Sequence, residues 1–223
     1  MRKFISHMIC GEDPGWPGNP TAMLENFSAI KKGDVANTYV LTLFNHFGTH
    51  MDAPKHYNDA GENISGIPKE FFFYDRPLLL DIPKGALEKI DPEDLKPYED
   101  KLRQCDCLML RTGFEAQRKL DPDTYSKRGP AVSAACAKYL MENFCGQIKA
   151  VAVDFVSLAC PADTVDGDEA HHHLLGMYTD GYICIIEDVS MVDLPAGMLK
   201  SAAAIPLFVE GMDSSPVTMW VDL

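Results

Sequence analysis

The sequence predicts a mixed α/β domain with more sheet than helix, and two patterns support this prediction. Short apolar segments of four to seven residues, rich in valine, isoleucine and leucine, recur along the chain between turn residues, as strands do. Only a few segments repeat apolar residues at the helical period. Strands that alternate with a few helices are typical of the α/β class.

The first half of the chain carries strand signals around a turn-rich loop. Residues 12–20 contain three prolines and two glycines, which exclude regular structure there. Residues 37–44 are rich in threonine, valine, leucine and aromatic residues, and they predict a strand that ends at a histidine-rich segment. Residues 76–82 and 107–111 predict two further strands, because both are short apolar runs.

The second half carries the clearest helix signals. Asp91 followed by Pro92 predicts the start of a short helix. Residues 133–144 predict a longer helix that Gly146 ends, since apolar residues recur there at helical spacing. Residues 148–155 predict a buried strand, because they are almost continuously apolar.

Composition limits the classes of function. Of the 223 residues, 46% are apolar, and no repeat or linker divides them, so we expect one domain over residues 1–223. The net charge of -13 disfavours nucleic acid and anionic membranes as partners. We expect a cytoplasmic protein, because no apolar run could span a membrane and the N-terminus lacks a signal peptide. The seven scattered cysteines include no Cys-x-x-Cys pair, which predicts reduced and mostly buried thiols.

The densest signal is a histidine motif. Three of the seven histidines and one aspartate fall between His46 and His56. His46, His50, Asp52 and His56 all have even numbers, so an extended backbone would point them to one side. In a straight strand, residues four apart stand about 13 Å apart, whereas metal ligands lie about 2 Å from their ion. We therefore predict a bend, with Gly48 as its place.

Two imidazoles and a carboxylate in this motif predict a site for a divalent ion. A set of only three protein ligands leaves positions open for water and substrate, as in catalytic metal sites. Mixed nitrogen and oxygen ligands suit zinc or manganese. The alternative interpretation is a solvated loop in which the histidines occur by chance.

A second group of candidate ligands lies far along the chain. Residues 166–176 begin with acids and continue into an apolar stretch, as a helix start does, and they include three adjacent histidines. Residues 182–188 predict a strand whose last residues are carboxylates. Glu187 is therefore a candidate ligand as well.

The motif from His46 to His56 resembles the HxGTHxDxPxH signature of the putative cyclase family, which includes bacterial-type kynurenine formamidase and isatin hydrolase. The similarity covers nearly the whole chain. Its other landmarks are residues 16–20, 111–113, 154–157, 171–187 and 216–217. The resemblance implies a swivelling β/β/α fold, metal-dependent hydrolysis of an amide, lactam or ester, and a homo-oligomer, either a dimer or a tetramer.

The resemblance also implies roles for single residues. His46, His50 and Asp52 resemble the ligands of one metal ion, and Asp52 would bridge to a second ion held by His171 and Glu187, which makes one or two ions per chain. His56 resembles the residue that transfers protons.

The sequence departs from the family pattern at two places. The connection from His171 to Glu187 is longer than in most members, and His172 and His173 compete with His171 for the ligand role. We choose His171 because the following Leu-Leu-Gly then keeps the family register. Thr218 stands where many members have arginine, so the acyl pocket is expected to differ.

These observations predict a hydrolase in which the ion activates water and polarises a carbonyl while His56 carries the proton. A serine nucleophile is disfavoured, because the chain has no Gly-x-Ser-x-Gly elbow. Two alternatives stay open. One is a metal-dependent lyase or isomerase, and the other is a non-catalytic protein that binds a metal or a small molecule.

Aromatic residues near the motif predict the kind of substrate. Trp16, Phe44, Phe47 and Tyr57 are candidates to contact an aryl group, and residues 71–74 are four aromatics in a row. The alternative is that these rings fill the core or a subunit interface. The first candidate substrate is N-formylkynurenine, as in tryptophan catabolism, and isatin-like lactams come second.

Overall fold

A computed structural model of the protein describes all of residues 1–223. The strands are β1 Arg2–Phe4, β2 Met23–Ser28, β3 Thr38–Thr42, β4 His50–Asp52, β5 Phe73–Tyr74, β6 Pro77–Asp81, β7 Lys89–Ile90, β8 Cys107–Arg111, β9 Ala131–Val132, β10 Ala150–Val153, β11 Cys184–Glu187, β12 Gly197–Met198, β13 Ser201–Pro206 and β14 Ser214–Asp222. The α-helices are α1 Pro92–Leu95, α2 Glu99–Leu102, α3 Gln117–Leu120, α4 Pro122–Lys127, α5 Ala134–Phe144 and α6 Thr164–Leu174. Single turns of 3₁₀-helix cover Ile30–Lys32, Pro54–His56, Lys69–Phe72, Lys96–Tyr98 and Phe114–Ala116.

One mixed sheet of ten strands organises the molecule. Its order is β12-β6-β8-β10-β11-β4-β14-β13-β5, and β1 also pairs with β14. The strands β6, β8, β10 and β11 run parallel to one another. From β11 onward every pairing is antiparallel. The short strand β4, which carries part of the histidine motif, therefore lies where the parallel and antiparallel parts meet.

Both faces of the parallel part are buried, because its side chains alternate between two cores. On β8, Leu108 and Leu110 join the core beneath helices α5 and α6, while Cys107 and Met109 join the second core. The second core also contains side chains from β13 and β14, which are not neighbours of β8. The sheet must therefore curl, so that its antiparallel part covers the second face of its parallel part.

Local signals in the sequence explain where the elements begin and end. The predicted strand 107–111 is confirmed at Cys107–Arg111. Asp91 caps α1 through a capping box, and Ser133 caps α5 by accepting a hydrogen bond from the Cys136 amide. Gly146, with a φ of 86°, follows the end of α5, as predicted.

All seven cysteines are free, and five of them are buried, as predicted for most of them. None of the helices is long and apolar enough to cross a membrane. The hairpin of β2 and β3 stands apart from the main sheet, and its apolar side chains, such as Phe27 at 80% exposure, face solvent.

Candidate metal centre

The strand β4 supplies the centre of the site. His50 and Asp52 are two residues apart, so both side chains lie on the face that α6 covers, whereas Met51 points into the second core. Pairing with β11 places His50 directly opposite Glu187. Each of these three polar side chains is buried, at no more than 3% exposure of the residue. The sheet register therefore brings two carboxylates and an imidazole together in the interior.

Gly48 makes the predicted bend, with a φ of 71° that a side chain would strain. The bend turns the chain ahead of β4 so that the rings of His46 and His50 lie 5.2 Å apart between their centres. His46 Nδ1 lies 3.1 Å from Asp52 Oδ1. His46 thus lies beside the carboxylate of Asp52, although it precedes the strand β4.

Helix α6 brings His171 to the site from the other side. A Cβ atom on Gly167 would lie 2.3 Å from the Cβ of Ala159, so only glycine allows the helix to pack this closely on residues 155–160. His171 Nε2 then lies 3.5 Å from Glu187 Oε1 and 4.0 Å from Asp52 Oδ2. The neighbouring His172 and His173 instead lie near Glu169, on the outer side of the helix.

Hydrogen bonds from the ring nitrogens that face away from the carboxylates orient the buried histidines. His50 Nδ1 lies 2.8 Å from the Gly48 carbonyl oxygen, and His171 Nδ1 lies 2.7 Å from the Gly167 carbonyl oxygen. A carbonyl can only accept, so each Nδ1 donates and each Nε2 is left facing the carboxylates. Holding the outer nitrogen in this way is how proteins fix histidine ligands.

Glu187 is anchored in the same way. Its Oε1 accepts hydrogen bonds from Ser157 Oγ at 3.0 Å and from the Leu158 amide at 2.6 Å. Its Oε2 faces His50 Nε2 at 3.2 Å. Sequence analysis did not identify Ser157 as a supporting residue, since nothing in its local pattern connects it to a strand thirty residues away.

The residues present fit a divalent ion. His50 Nε2 and both carboxylate oxygens of Asp52 are buried without a hydrogen-bond partner, a costly arrangement that a cation would relieve. His46 Nδ1 is close to Asp52 Oδ1 but is not aligned for a hydrogen bond. Two ligand sets have donor atoms that lie within 4.8 Å of one another: His46, Asp52 and His56, and His50, Asp52 and Glu187. Asp52 belongs to both sets, as expected of a bridging carboxylate.

The charges of the site are strongly coupled. Burial alone would raise the pKa of Glu187, but the nearby imidazoles of His171 and His50 outweigh it and lower this pKa to about 2. Burial would likewise raise the pKa of Asp52, but His56 and His46 hold it well below its usual range. Burial lowers the pKa of His46, yet Asp52 and Asp213 more than compensate and raise it to about 10. The close approach of the two kinds of group therefore lowers the pKa values of the carboxylates and raises that of His46.

His56 lies at the edge of this cluster, at the end of the 3₁₀ turn Pro54–His56. Its Nδ1 lies 2.8 Å from Asp213 Oδ2, and its ring centre is 4.1 Å from that of His46. The hydrogen bonds from His46 and His56 hold the pKa of Asp213 well below its usual range. No local sequence pattern predicts this role for Asp213, which lies 157 residues from His56 along the chain.

A cavity of about 460 Å³ opens above the cluster. Trp16, Phe44 and Tyr57 line it, as do the candidate ligands His46, His171 and Glu187, together with His56. Tyr57 stacks on the ring of His171, with 4.6 Å between centres, and its hydroxyl donates to Asp168 at 2.7 Å. No lysine or arginine lines the cavity.

The other residues predicted to contact substrate lie elsewhere. Phe47 is only 2% exposed and packs beside Gly15, outside this cavity. In the aromatic run, Phe72 and Tyr74 are buried in the second core and Phe73 faces solvent. Thr218 is exposed and does not line the cavity either.

The chain is similar in sequence to known proteins. The model of a family described as "Putative cyclase" matches residues 5–159. The kynurenine formamidase of Bacillus thuringiensis (strain Al Hakam) is 30% identical over 216 residues, which cover 96% of this chain and 93% of that enzyme. A protein of Haemophilus influenzae without an assigned function is 38% identical over 108 residues, 48% of this chain and 76% of that protein.

Solved structures share the fold. Isatin hydrolase A from Labrenzia aggregata superposes with a TM-score of 0.81 at 20% identity, covering 99% of this chain and 93% of that one. A protein from Bacillus stearothermophilus described as a predicted metal-dependent hydrolase gives a TM-score of 0.78 at 20% identity, with 99% and 97% coverage. The predicted fold class is thereby confirmed.

Proposed function

The chain belongs to the cyclase family, as its histidine motif predicted, and from this premise we propose that it is a metal-dependent hydrolase of small aromatic amides, lactams or esters. N-formylkynurenine is the first candidate substrate, because a kynurenine formamidase is 30% identical along almost the whole chain. The observation that carries the proposal is the unpartnered, buried carboxylate of Asp52 beneath an aromatic cavity.

The donor atoms support Asp52 as the shared ligand, and the family resemblance implies how the other ligands divide between two ions. We propose that His46, His50 and Asp52 hold one divalent ion, and that Asp52, His171 and Glu187 hold a second one where two bind. When bound, the ion would supply positive charge that activates water and polarises the substrate carbonyl. Zinc and manganese both suit these ligands.

The remaining steps belong to the protein's own groups. His56 has its Nδ1 against Asp213, so its Nε2 is free to accept a proton and pass it to the leaving nitrogen or oxygen. Trp16, Phe44 and Tyr57 offer flat apolar surfaces that would hold an aryl group while its carbonyl meets the ligand cluster. The curled sheet and α6 bury the cluster, which limits access by bulk water.

The cavity chemistry guides the choice of substrates. With no lysine or arginine in its wall, the cavity offers no strong partner for a substrate carboxylate. Aryl formamides without a carboxylate therefore belong beside N-formylkynurenine among the substrates. The predicted homo-oligomer, a dimer or tetramer, stays a prediction.

The test is a substrate panel on metal-loaded protein in water with labelled oxygen. We expect aryl substrates to exceed aliphatic analogues of equal leaving-group ability in kcat/KM, with one labelled oxygen entering the acid product. Turnover without label would favour the lyase or isomerase alternative. Equal or faster turnover of the aliphatic analogues would contradict the aromatic pocket, and no turnover of any member would favour a binding protein.

A further inference from the structure

One carboxylate in the site serves two histidines at once. Asp213 Oδ2 lies 2.8 Å from His56 Nδ1 and 3.0 Å from His46 Nε2. Its other oxygen, Oδ1, accepts a hydrogen bond from Asn45 Nδ2 at 2.8 Å. Both oxygens are therefore occupied by donors, and Asp213 belongs to neither set of candidate metal ligands. Its chemistry is that of an orienting group rather than a ligand.

The backbone around Asp213 fixes where this carboxylate lies. The Asp213 carbonyl accepts a hydrogen bond from the Ala53 amide at 2.9 Å. The next residue, Ser214, begins β14 and pairs with Asp52 in the sheet. The register that sets the position of the shared ligand carboxylate therefore also sets the position of Asp213.

The contact decides which nitrogen of His56 carries the proton. A neutral imidazole has one N–H and one lone pair, and a carboxylate can only accept. Facing Asp213, His56 therefore keeps its proton on Nδ1, and the Nε2 lone pair is free. Without Asp213, either nitrogen could hold the proton and the ring could turn.

The same carboxylate orients His46. Since His46 Nε2 donates to Asp213, its Nδ1 is the nitrogen directed at Asp52 Oδ1, 3.1 Å away. The rings of His46 and His56 lie 4.1 Å apart with 37° between their planes, so one oxygen can reach both. A single side chain thus couples a candidate ligand to the candidate proton carrier.

We propose that Asp213 is a positioning residue that holds His56 with Nε2 free for proton transfer and His46 with Nδ1 toward the metal. This inference rests on the proposed hydrolase function for its kinetic part only. Its structural part concerns the orientation of two imidazoles and can be measured without any substrate.

The test compares Asp213→Asn and Asp213→Glu with Asp59→Asn. Asp59 is an exposed carboxylate paired with Lys55, so it controls for loss of one negative charge near the motif. Asp213→Asn removes an acceptor at unchanged size. We expect its zinc affinity to fall about 10- to 100-fold and its kcat to fall about 10²-fold or more with KM nearly constant. Asp213→Glu restores part of kcat, and Asp59→Asn matches the unmodified protein.

The readout independent of activity is the tautomer of His56, observed in long-range proton–nitrogen NMR spectra of zinc-loaded protein and assigned with His56→Gln. We expect Nδ1–H in the unmodified protein and a mixture of tautomers in Asp213→Asn. An Nε2–H tautomer in the unmodified protein overturns the proposal, even if no variant folds. The proposal is also overturned if Asp213→Asn leaves kcat, zinc affinity and the tautomer of His56 unchanged. If no substrate is turned over, the hydrolase function fails while the tautomer and zinc affinity still decide the role of Asp213.

Discussion

The floor and the rim of the site use the same residue types but differ in how their polar atoms are partnered. The floor consists of His50, Asp52, His171 and Glu187, whose side chains are at most 4% exposed. The rim consists of His46, His56 and Asp213, with side chains 14% to 34% exposed.

On the floor, the outer atoms are hydrogen bonded while inner atoms such as Asp52 Oδ1 and His50 Nε2 have no hydrogen-bond partner. On the rim, Asp213 already accepts from both histidines. Buried polar atoms without partners are costly, and a cation on the floor would satisfy them. On the rim, Asp213 already partners Nδ1 of His56, which leaves Nε2 of that ring available for proton transfer. His46 belongs to both regions, because its Nδ1 faces Asp52 and its Nε2 faces Asp213.

The largest effect is expected when a ligand is removed from the floor. We expect His50→Ala to lose the ion that it shares with His46 and Asp52, together with the activity, and His171→Ala to lose the second ion where two bind, because each variant removes a nitrogen aimed at the shared carboxylates. Elemental analysis of each variant beside the unmodified protein should show the lost ion.

The matched control for the floor is His173→Ala, two residues from His171 on the same helix. His173 contacts Glu169 and Tyr178 instead of the floor. Its variant should keep metal and activity. Unchanged metal content in both His50→Ala and His171→Ala would refute the assignment of the floor to the metal.

Removing the proton carrier from the rim should have the opposite signature. His56→Ala is expected to keep its metal content, because the floor ligands and His46 remain. Its kcat should fall about 10²- to 10⁴-fold, as for loss of a general acid or base. Metal content and kcat measured on the same preparation would check this. Release of the ion by His56→Ala would make His56 a ligand and erase the distinction between floor and rim.

The two regions also differ in how far the sequence predicts them. The motif ligands lie within eleven residues, so their density and the bend at Gly48 are local signals. Glu187 follows a recognisable strand, and the choice of His171 over its neighbours came from the family resemblance. The strand and helix predictions succeeded for the same reason, since the apolar period of residues 107–111 and 134–144 is local.

Asp213 carries no such signal, because its role arises only when β14 pairs with β4 and brings distant residues together. Phe47 illustrates the converse. It is adjacent to His46 in sequence, yet it is buried outside the cavity. Of the four residues predicted to contact substrate, Trp16, Phe44 and Tyr57 line the cavity and Phe47 does not.

The smallest expected effect is the pH dependence of stability in metal-free protein. Asp52 and Glu187 have lowered pKa values, so the stability they contribute is present above about pH 4.5 and is lost as the pH falls. His46, His50 and His171 have raised pKa values. Their contribution is therefore complete below about pH 6.5 and is lost as the pH rises, toward about 10 for His46.

Metal-free protein should therefore have its highest Tm between about pH 4.5 and 6.5, with a decrease of about 2 to 4 °C for each kcal/mol lost above that range. Metal binding needs neutral histidines, so the ion binds more tightly as the pH rises. The gap in Tm between zinc-loaded and chelator-treated protein should consequently widen from about pH 6 to pH 9. Calorimetry across this range checks it, with metal-free His171→Ala expected to show a shallower decrease. A metal-free Tm that stays constant or rises above about pH 6.5 would contradict the close pairing of carboxylates with protonated imidazoles on the floor.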